Sequence, residues 1–208
     1  IISDGYKSTD FKAAGDWSHA GFWLLAGANS QIRINGLDKN SKQGDKAIVE
    51  ILNSMGADIS WEGDVLASKK AGLKGKNTDV SQCPDLAPVI AGAMVIAEGN
   101  SRITGGERLK IKESDRIQSI VNTILSLGGK ARATDDGMVI DGKGYLSGGK
   151  ISCYNDHRIA MMAGALSVYC EGQIDVEGYE CVAKSYPEFW EHFKCLGGEI
   201  CAAYGEKT

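Results

Sequence analysis

Three stretches of this chain repeat one another, and that self-similarity limits the fold more than any other feature. They run over residues 15–61, 83–133 and 155–201. Each opens near an aspartate (Asp16, Asp85, Asp156) followed by an apolar, Ala/Gly-rich run of helical length. Each run gives way to a short alternating stretch, IRING, RITGG or IDVEG, the pattern of a strand ending in a glycine turn. Nine residues beyond that glycine (36 to 45, 106 to 115, 178 to 187) stands a helix-starting Asp45, Asp115 or Pro187. Each second helix closes on SMGA, SLGG or CLGG, with Gly56, Gly128 and Gly197 at the position of a C-terminal cap. After the first two of these come ADISWEGDVLAS and KARATDDGMVIDG, which read as hairpins with Gly/Asp turns.

A unit of strand, helix, strand, helix, strand, strand is too short to bury both of its helices alone. Three such units are therefore expected to pack around a shared pseudo-threefold axis with their inner helices as the core. The expectation is a mixed α/β (α+β) fold of three βαβαββ repeats, about 11–70, 79–142 and 150–208, forming one domain over 1–208. The small residues of AGAMVIAEG and AMMAGALS suit close approach of those helices.

With 208 residues, 43% of them hydrophobic, the chain can bury a real core. Its net charge of −4 argues against a general nucleic-acid or polyanion binder, so any cluster of cations must be local and its ligand small. The apolar stretch AGFWLLAGA (20–28) falls well short of the roughly 20 residues that span a bilayer. Neither a nucleic-acid nor a membrane partner is expected. Six cysteines (83, 153, 170, 181, 195, 201) lack CxxC spacing and companion histidines, which reads as reduced, mostly buried thiols in a cytoplasmic setting with no metal. The turn-like opening SDGYKSTD, without an initiating methionine, reads as cut from something longer.

The stretch RLKIKESDRI (108–117) concentrates four cations and two carboxylates. Glu113, Ser114 and Asp115 are residue types that cap a helix N-terminus, yet Lys110, Lys112 and Arg116 oppose the macrodipole there. Either the stretch is a solvated helix start, or an anionic ligand docks on it. Threefold symmetry would gather equivalent helix starts on one face and bring Lys112, Glu113, Arg116, Arg158 and Lys184 together. Several cations around two carboxylates, Asp85 and Glu113, suit a phosphate- or carboxylate-bearing ligand with proton transfer beside it. His157 reads as a capping or core residue, and no Gly-rich nucleotide loop is present.

PD at 84–85, KESDR at 112–116, NDHRIAM at 155–161 and KSYPEF at 184–189, in this order, resemble the C-terminal half of the 5-enolpyruvylshikimate-3-phosphate synthase family. GDWSHAGFWLLAGA and NSKQGD also match its pattern, so the resemblance covers about 11–199. It implies one lobe of the two-lobed inside-out α/β barrel of the enolpyruvyl transferases. The implied reaction joins phosphoenolpyruvate to the 5-hydroxyl of shikimate 3-phosphate, releasing phosphate through a tetrahedral intermediate without metal or organic cofactor. By motif, Asp85 resembles the proton acceptor at that hydroxyl, and Glu113 the carboxylate that moves a proton at the methylene carbon. Arg116, Arg158 and Lys184 match cations that hold phosphoenolpyruvate, and Asp85 and Lys112 match contacts to shikimate 3-phosphate. Arg108 stands where some members carry an asparagine and is given no role. The resemblance further implies an N-terminal lobe as partner, without which the chain would be folded but inactive. Two alternatives stand beside this one: a domain of the transferase acting on UDP-N-acetylglucosamine, and a non-catalytic anion-binding repeat domain.

Overall fold

A computed structural model describes residues 8, 10, 13–28 and 30–201; most of the turn-like opening at 3–10 lies outside the described residues. The fold is mixed α/β. Helix α1 (Trp17–Gly27) starts at Asp16, whose carboxylate accepts from the backbone N–H groups of Ser18 and His19. Then come β1 (Ile32–Ile34), a 3-10 turn (Gly44–Ala47), α2 (Ile48–Ser54), and a hairpin of β2 (Asp58–Glu62) and β3 (Val65–Lys69). The second stretch holds β4 (Thr78–Asp79), a 3-10 turn (Pro84–Leu86), α3 (Ala87–Ile96) and β5 (Glu98–Thr104). It continues through a 3-10 turn (Glu107–Ile111), α4 (Arg116–Ser126) and the hairpin of β6 (Lys130–Thr134) and β7 (Gly137–Lys143). The third has β8 (Gly149–Ser152), α5 (His157–Leu166), β9 (Ile174–Glu177), a 3-10 turn (Tyr179–Lys184) and α6 (Phe189–Cys195).

Among the described residues the strands form three sheets, in the orders β1-β3-β2, β4-β5-β7-β6 and β8-β9. The expected hairpins pair antiparallel, with Ser60 opposite Ala67 and Arg132 opposite Val139, whereas β4 joins β5 and β8 joins β9 in parallel. Parallel neighbours need a crossover, and α3 and α5 supply it.

Helices α1, α3 and α5 pack on one another and form the centre. All ten residues of α3 and all ten of α5 are buried; α3 is apolar all round, and α5 is so after its first two residues, His157 and Arg158. At Gly92 the three come close together. A Cβ there would lie 2.7 Å from Leu25 Cδ2 of α1 and 3.6 Å from Leu166 Cδ2 of α5. Helix α4, by contrast, is amphipathic: its buried side carries the apolar stripe Ile117, Ile120, Val121 and Ile124 together with Arg116, Ser119 and Thr123. The expected glycine caps are present. Gly56, Gly128 and Gly197 have φ of 103°, 82° and 96°, and the next residue's N–H returns to the carbonyl five positions back (Leu52, Ile124, Phe193). Of the six cysteines, Cys83, Cys153 and Cys181 are buried, while Cys195 and Cys201 are exposed. Among the described residues, no helix is long and apolar enough to cross a membrane.

Candidate active site

Three chain segments meet at the N-terminal ends of α3, α4 and α5. Asp85 comes from the 3-10 turn before α3, and Lys112 and Glu113 from the segment before α4. Arg116 opens α4, and Asp156 and Arg158 flank the start of α5. Two of the three aligned aspartates, Asp16 and Asp156, cap their helices, but Asp85 does not. No side chain caps α3, whose Pro88 removes an N–H group that would need one, as Pro84 does in the 3-10 turn before it, and the Asp85 carboxylate faces cations instead of capping a helix. Asp45, which opens the second element of the first stretch, accepts from the Ser18 hydroxyl, so Asp16 and Asp45 have structural roles.

Arg116 is the hub. Its side chain is 1% exposed and faces three carboxylates. Nε donates to Asp156 Oδ2 at 2.8 Å, Nη1 to Asp85 Oδ1 at 2.7 Å, and Nη2 to Glu113 Oε2 and, at 3.4 Å, to Asp156 Oδ1. Asp156 is itself fully buried, accepts from the Arg158 N–H at 3.0 Å, and receives the Ser114 hydroxyl at 3.2 Å. Two residues with left-handed φ, Tyr154 (51°) and Asn155 (57°), bend the backbone into that buried position; such values are uncommon outside glycine.

Above the hub lies a more accessible tier. Lys112 Nζ stands 3.0 Å from Asp85 Oδ1, and Arg158 Nη2 stands 3.5 Å from Asp85 Oδ2. Lys184 donates to the Asn155 carbonyl at 2.8 Å, one residue from Asp156. Burial alone would raise the Asp85 pKa, but the field of Arg158 and the hydrogen bonds from Lys112 and Arg116 prevail and hold it at about 2. Asp85 is therefore ionised at neutral pH. Burial lowers the pKa of His157, with Arg158 and Arg116 adding to the effect, which favours the neutral imidazole although Asp156 and Glu113 oppose the shift.

All six residues singled out in the sequence thus lie in this region: Asp85, Lys112, Glu113, Arg116 and Arg158 in direct contact, and Lys184 through the Asn155 carbonyl. Arg116 departs from expectation in position. It sits beneath the carboxylates instead of presenting a free fork to solvent, because Asp156, forty residues on, meets its Nε. Asp156 and Ser114 were given no site role from sequence. The signal for Asp156 was its position beside Arg158 in NDHR, equivalent to a simple helix cap. Among the described residues, no group of three or more His, Cys, Asp or Glu side chains is placed to hold a metal ion.

The fold and the site together define a mixed α/β unit built around a carboxylate and cation cluster at helix starts. Residues 3–193 match the model of the family described as EPSP synthase (3-phosphoshikimate 1-carboxyvinyltransferase). The 3-phosphoshikimate 1-carboxyvinyltransferases of Clostridium acetobutylicum and Clostridium kluyveri are each 43% identical to the chain. The alignments cover 93% and 94% of the chain but only 45% and 46% of those proteins. The structure of EPSP synthase from Acinetobacter baumannii superposes with a TM-score of 0.80 at 31% identity, over 89% of this chain and 46% of that one. The chain belongs to the EPSP synthase family, and it spans a little under half the length of these relatives.

Proposed function

We propose that this chain is one lobe of an enzyme that transfers the enolpyruvyl group of phosphoenolpyruvate to the 5-hydroxyl of shikimate 3-phosphate and releases phosphate. The observation that carries the proposal is the meeting of Asp85, Lys112, Glu113 and Arg158 over the buried Arg116. Family membership and the relatives' names favour shikimate 3-phosphate over a UDP-sugar acceptor. In this reading the described elements belong to three βαβαββ units of one domain around a pseudo-threefold axis; among the described residues the second unit is complete, the first begins at its first helix and the third ends at its second helix. Support comes from the shared order β1-β3-β2 and β5-β7-β6, the parallel joins β4-β5 and β8-β9, and the central packing of α1, α3 and α5. A second lobe, corresponding to the rest of the relatives' length, supplies the opposite wall of the cleft, in a cytoplasmic enzyme.

Arg158 and Lys184 hold the carboxylate and phosphate of phosphoenolpyruvate, and Arg116 adds positive potential from below. Lys112 faces shikimate 3-phosphate. Glu113 protonates the methylene carbon as the 5-hydroxyl oxygen bonds to C2, and takes a proton back from the resulting methyl group as phosphate leaves. Asp85 accepts the hydroxyl proton and gives it up as phosphate leaves, so both carboxyl groups end in the state in which they began. With a pKa of about 2, set by the cations around it, Asp85 is a weak base. Anionic substrates draw Lys112 and Arg158 toward themselves, which relieves Asp85 of the cations that suppress its basicity.

The proposal is tested by mixing the chain with the missing half of the Clostridium acetobutylicum relative and following phosphate release from phosphoenolpyruvate. Release that depends on both polypeptides and on shikimate 3-phosphate supports it. Release that depends on UDP-N-acetylglucosamine instead would overturn it, as would none from a mixture in which the two halves form a complex.

A further inference from the structure

Two buried thiols that the proposed reaction does not use touch each other between the segments carrying Arg158 and Lys184. Cys153 is the first residue past β8, and its N–H donates to the Glu177 carbonyl at 2.9 Å. Beyond β9 the chain turns at Gly178, whose φ is 79° and where a Cβ would lie 3.8 Å from Cys153 Cβ. Cys181, on the 3-10 turn that follows, donates its N–H back to the Gly178 carbonyl at 3.2 Å. The Cys153 S–H donates to Cys181 Sγ, so the two sulfurs are already in contact, and neither is in a disulfide. Their surroundings give them different reactivity. The hydrogen bond from Cys153 and the charge of Lys184 lower the pKa of Cys181 against the effect of burial, whereas the same hydrogen bond and burial raise that of Cys153. By contrast, burial pushes Cys83 and Cys170 up to about 11. The thiolate is the form that reacts with an oxidant, and Cys181 keeps 8% exposure where Cys153 has none, so a small oxidant meets Cys181 first.

We propose that Cys153 and Cys181 form a redox-sensitive modification site, which hydrogen peroxide closes into an internal disulfide that moves Lys184 relative to Arg158 and weakens anion binding. The Cys181 thiolate attacks the peroxide O–O bond, becoming a sulfenic acid and releasing hydroxide, which takes a proton from solvent. The Cys153 sulfur then attacks the sulfenic sulfur: the S–S bond forms as the S–O bond breaks, and the departing oxygen leaves as water with the Cys153 proton. Two thiols and one peroxide thus give one disulfide and two waters, and a thiol reductant reverses the change. A covalent S–S bond is shorter than the thiol contact it replaces, so closure draws the 3-10 turn against the corner at residues 153–155. Lys184 lies three residues beyond Cys181 on that turn and bonds the Asn155 carbonyl at 2.8 Å, and its ammonium shifts with the turn. The effect on anion binding rests on the site proposed above; the disulfide does not.

The full chain and its Cys181→Ala variant would be treated with hydrogen peroxide, mapped by peptide mass spectrometry without reduction, and titrated with phosphoenolpyruvate before and after dithiothreitol. The expected result for the unaltered chain is a Cys153–Cys181 crosslink, an affinity for phosphoenolpyruvate lowered by about fivefold or more, and full recovery with dithiothreitol. The variant should show neither the crosslink nor the loss. Mapping and recovery are read on the unaltered chain, so they do not depend on the folding of the variant. Peroxide that leaves both thiols free, or that joins them only to the exposed Cys195 or Cys201, overturns the modification site. A Cys153–Cys181 crosslink with unchanged affinity overturns its control of anion binding. Failure of the reduced chain to bind phosphoenolpyruvate at all overturns the anion site proposed above, and with it that control, while a mapped crosslink would still establish the disulfide.

Discussion

Arg116 donates through Nε to Asp156 Oδ2 at 2.8 Å, with neither side chain in appreciable contact with solvent. A buried pair of this kind contributes little net stability relative to an apolar pair, but removing one partner strands the other in a low-dielectric site. Arg116→Leu should therefore lower unfolding free energy by about 3–5 kcal/mol, most of it the cost of the uncompensated Asp156. Denaturant unfolding measures this. A loss comparable to that of an ordinary surface substitution would mean that Asp156 is not buried as described.

Asp85 makes stability depend on pH in a predictable direction. Its pKa falls from an ordinary 3.8 to about 2 on folding, so the unfolded chain binds the proton more readily. The contribution is present above about pH 4 and is lost as pH falls toward 2. Linkage alone gives about 2 kcal/mol. Because the carboxylate is 34% exposed, about 1 kcal/mol is expected after solvent screening. The stability difference between the unaltered chain and Asp85→Asn should shrink across that acid range. A difference that does not change with pH would contradict the assignment.

Gly92 tests the central packing. Its missing side chain lets Leu25 and Leu166 approach from α1 and α5, so Gly92→Val should overpack the core and cost about 1–3 kcal/mol in thermal or denaturant unfolding. No loss would mean that the three helices are not in close contact there.

The sheets and turns were legible in the sequence because their signals are local. Alternation in DISWE and VLASK around a Gly-containing turn specifies a hairpin whatever surrounds it, and the glycines after α2, α4 and α6 are needed wherever a helix ends in a left-handed residue. Part of the site was not legible, because its signals depend on partners distant in sequence. Arg116 within KESDR has the composition of a solvated helix start, and only Asp85, thirty-one residues before it, and Asp156, forty after it, turn it into a buried hub. Asp85, Asp16 and Asp156 align in the repeat, yet two cap helices and one faces cations. Alignment of the aspartates alone does not reveal the difference.

Glu113 is the residue on which proton movement depends in the proposed reaction, and it is exposed enough to replace without disturbing the core. With the complementary half present, Glu113→Gln should reduce the rate of phosphate release by about a hundredfold or more while leaving the unfolding transition nearly unchanged. Unchanged turnover in a folded Glu113→Gln protein would remove Glu113 from the mechanism.

The most direct test of the central claim is a backbone amide titration of this chain by NMR with phosphoenolpyruvate. Saturable shifts clustered at residues 112–116, 156–158 and 184 are the predicted result, because the cations meet there. Saturable shifts confined to other surfaces, or none at millimolar ligand with the fold intact, would contradict the claim that this cluster is a phosphoenolpyruvate site.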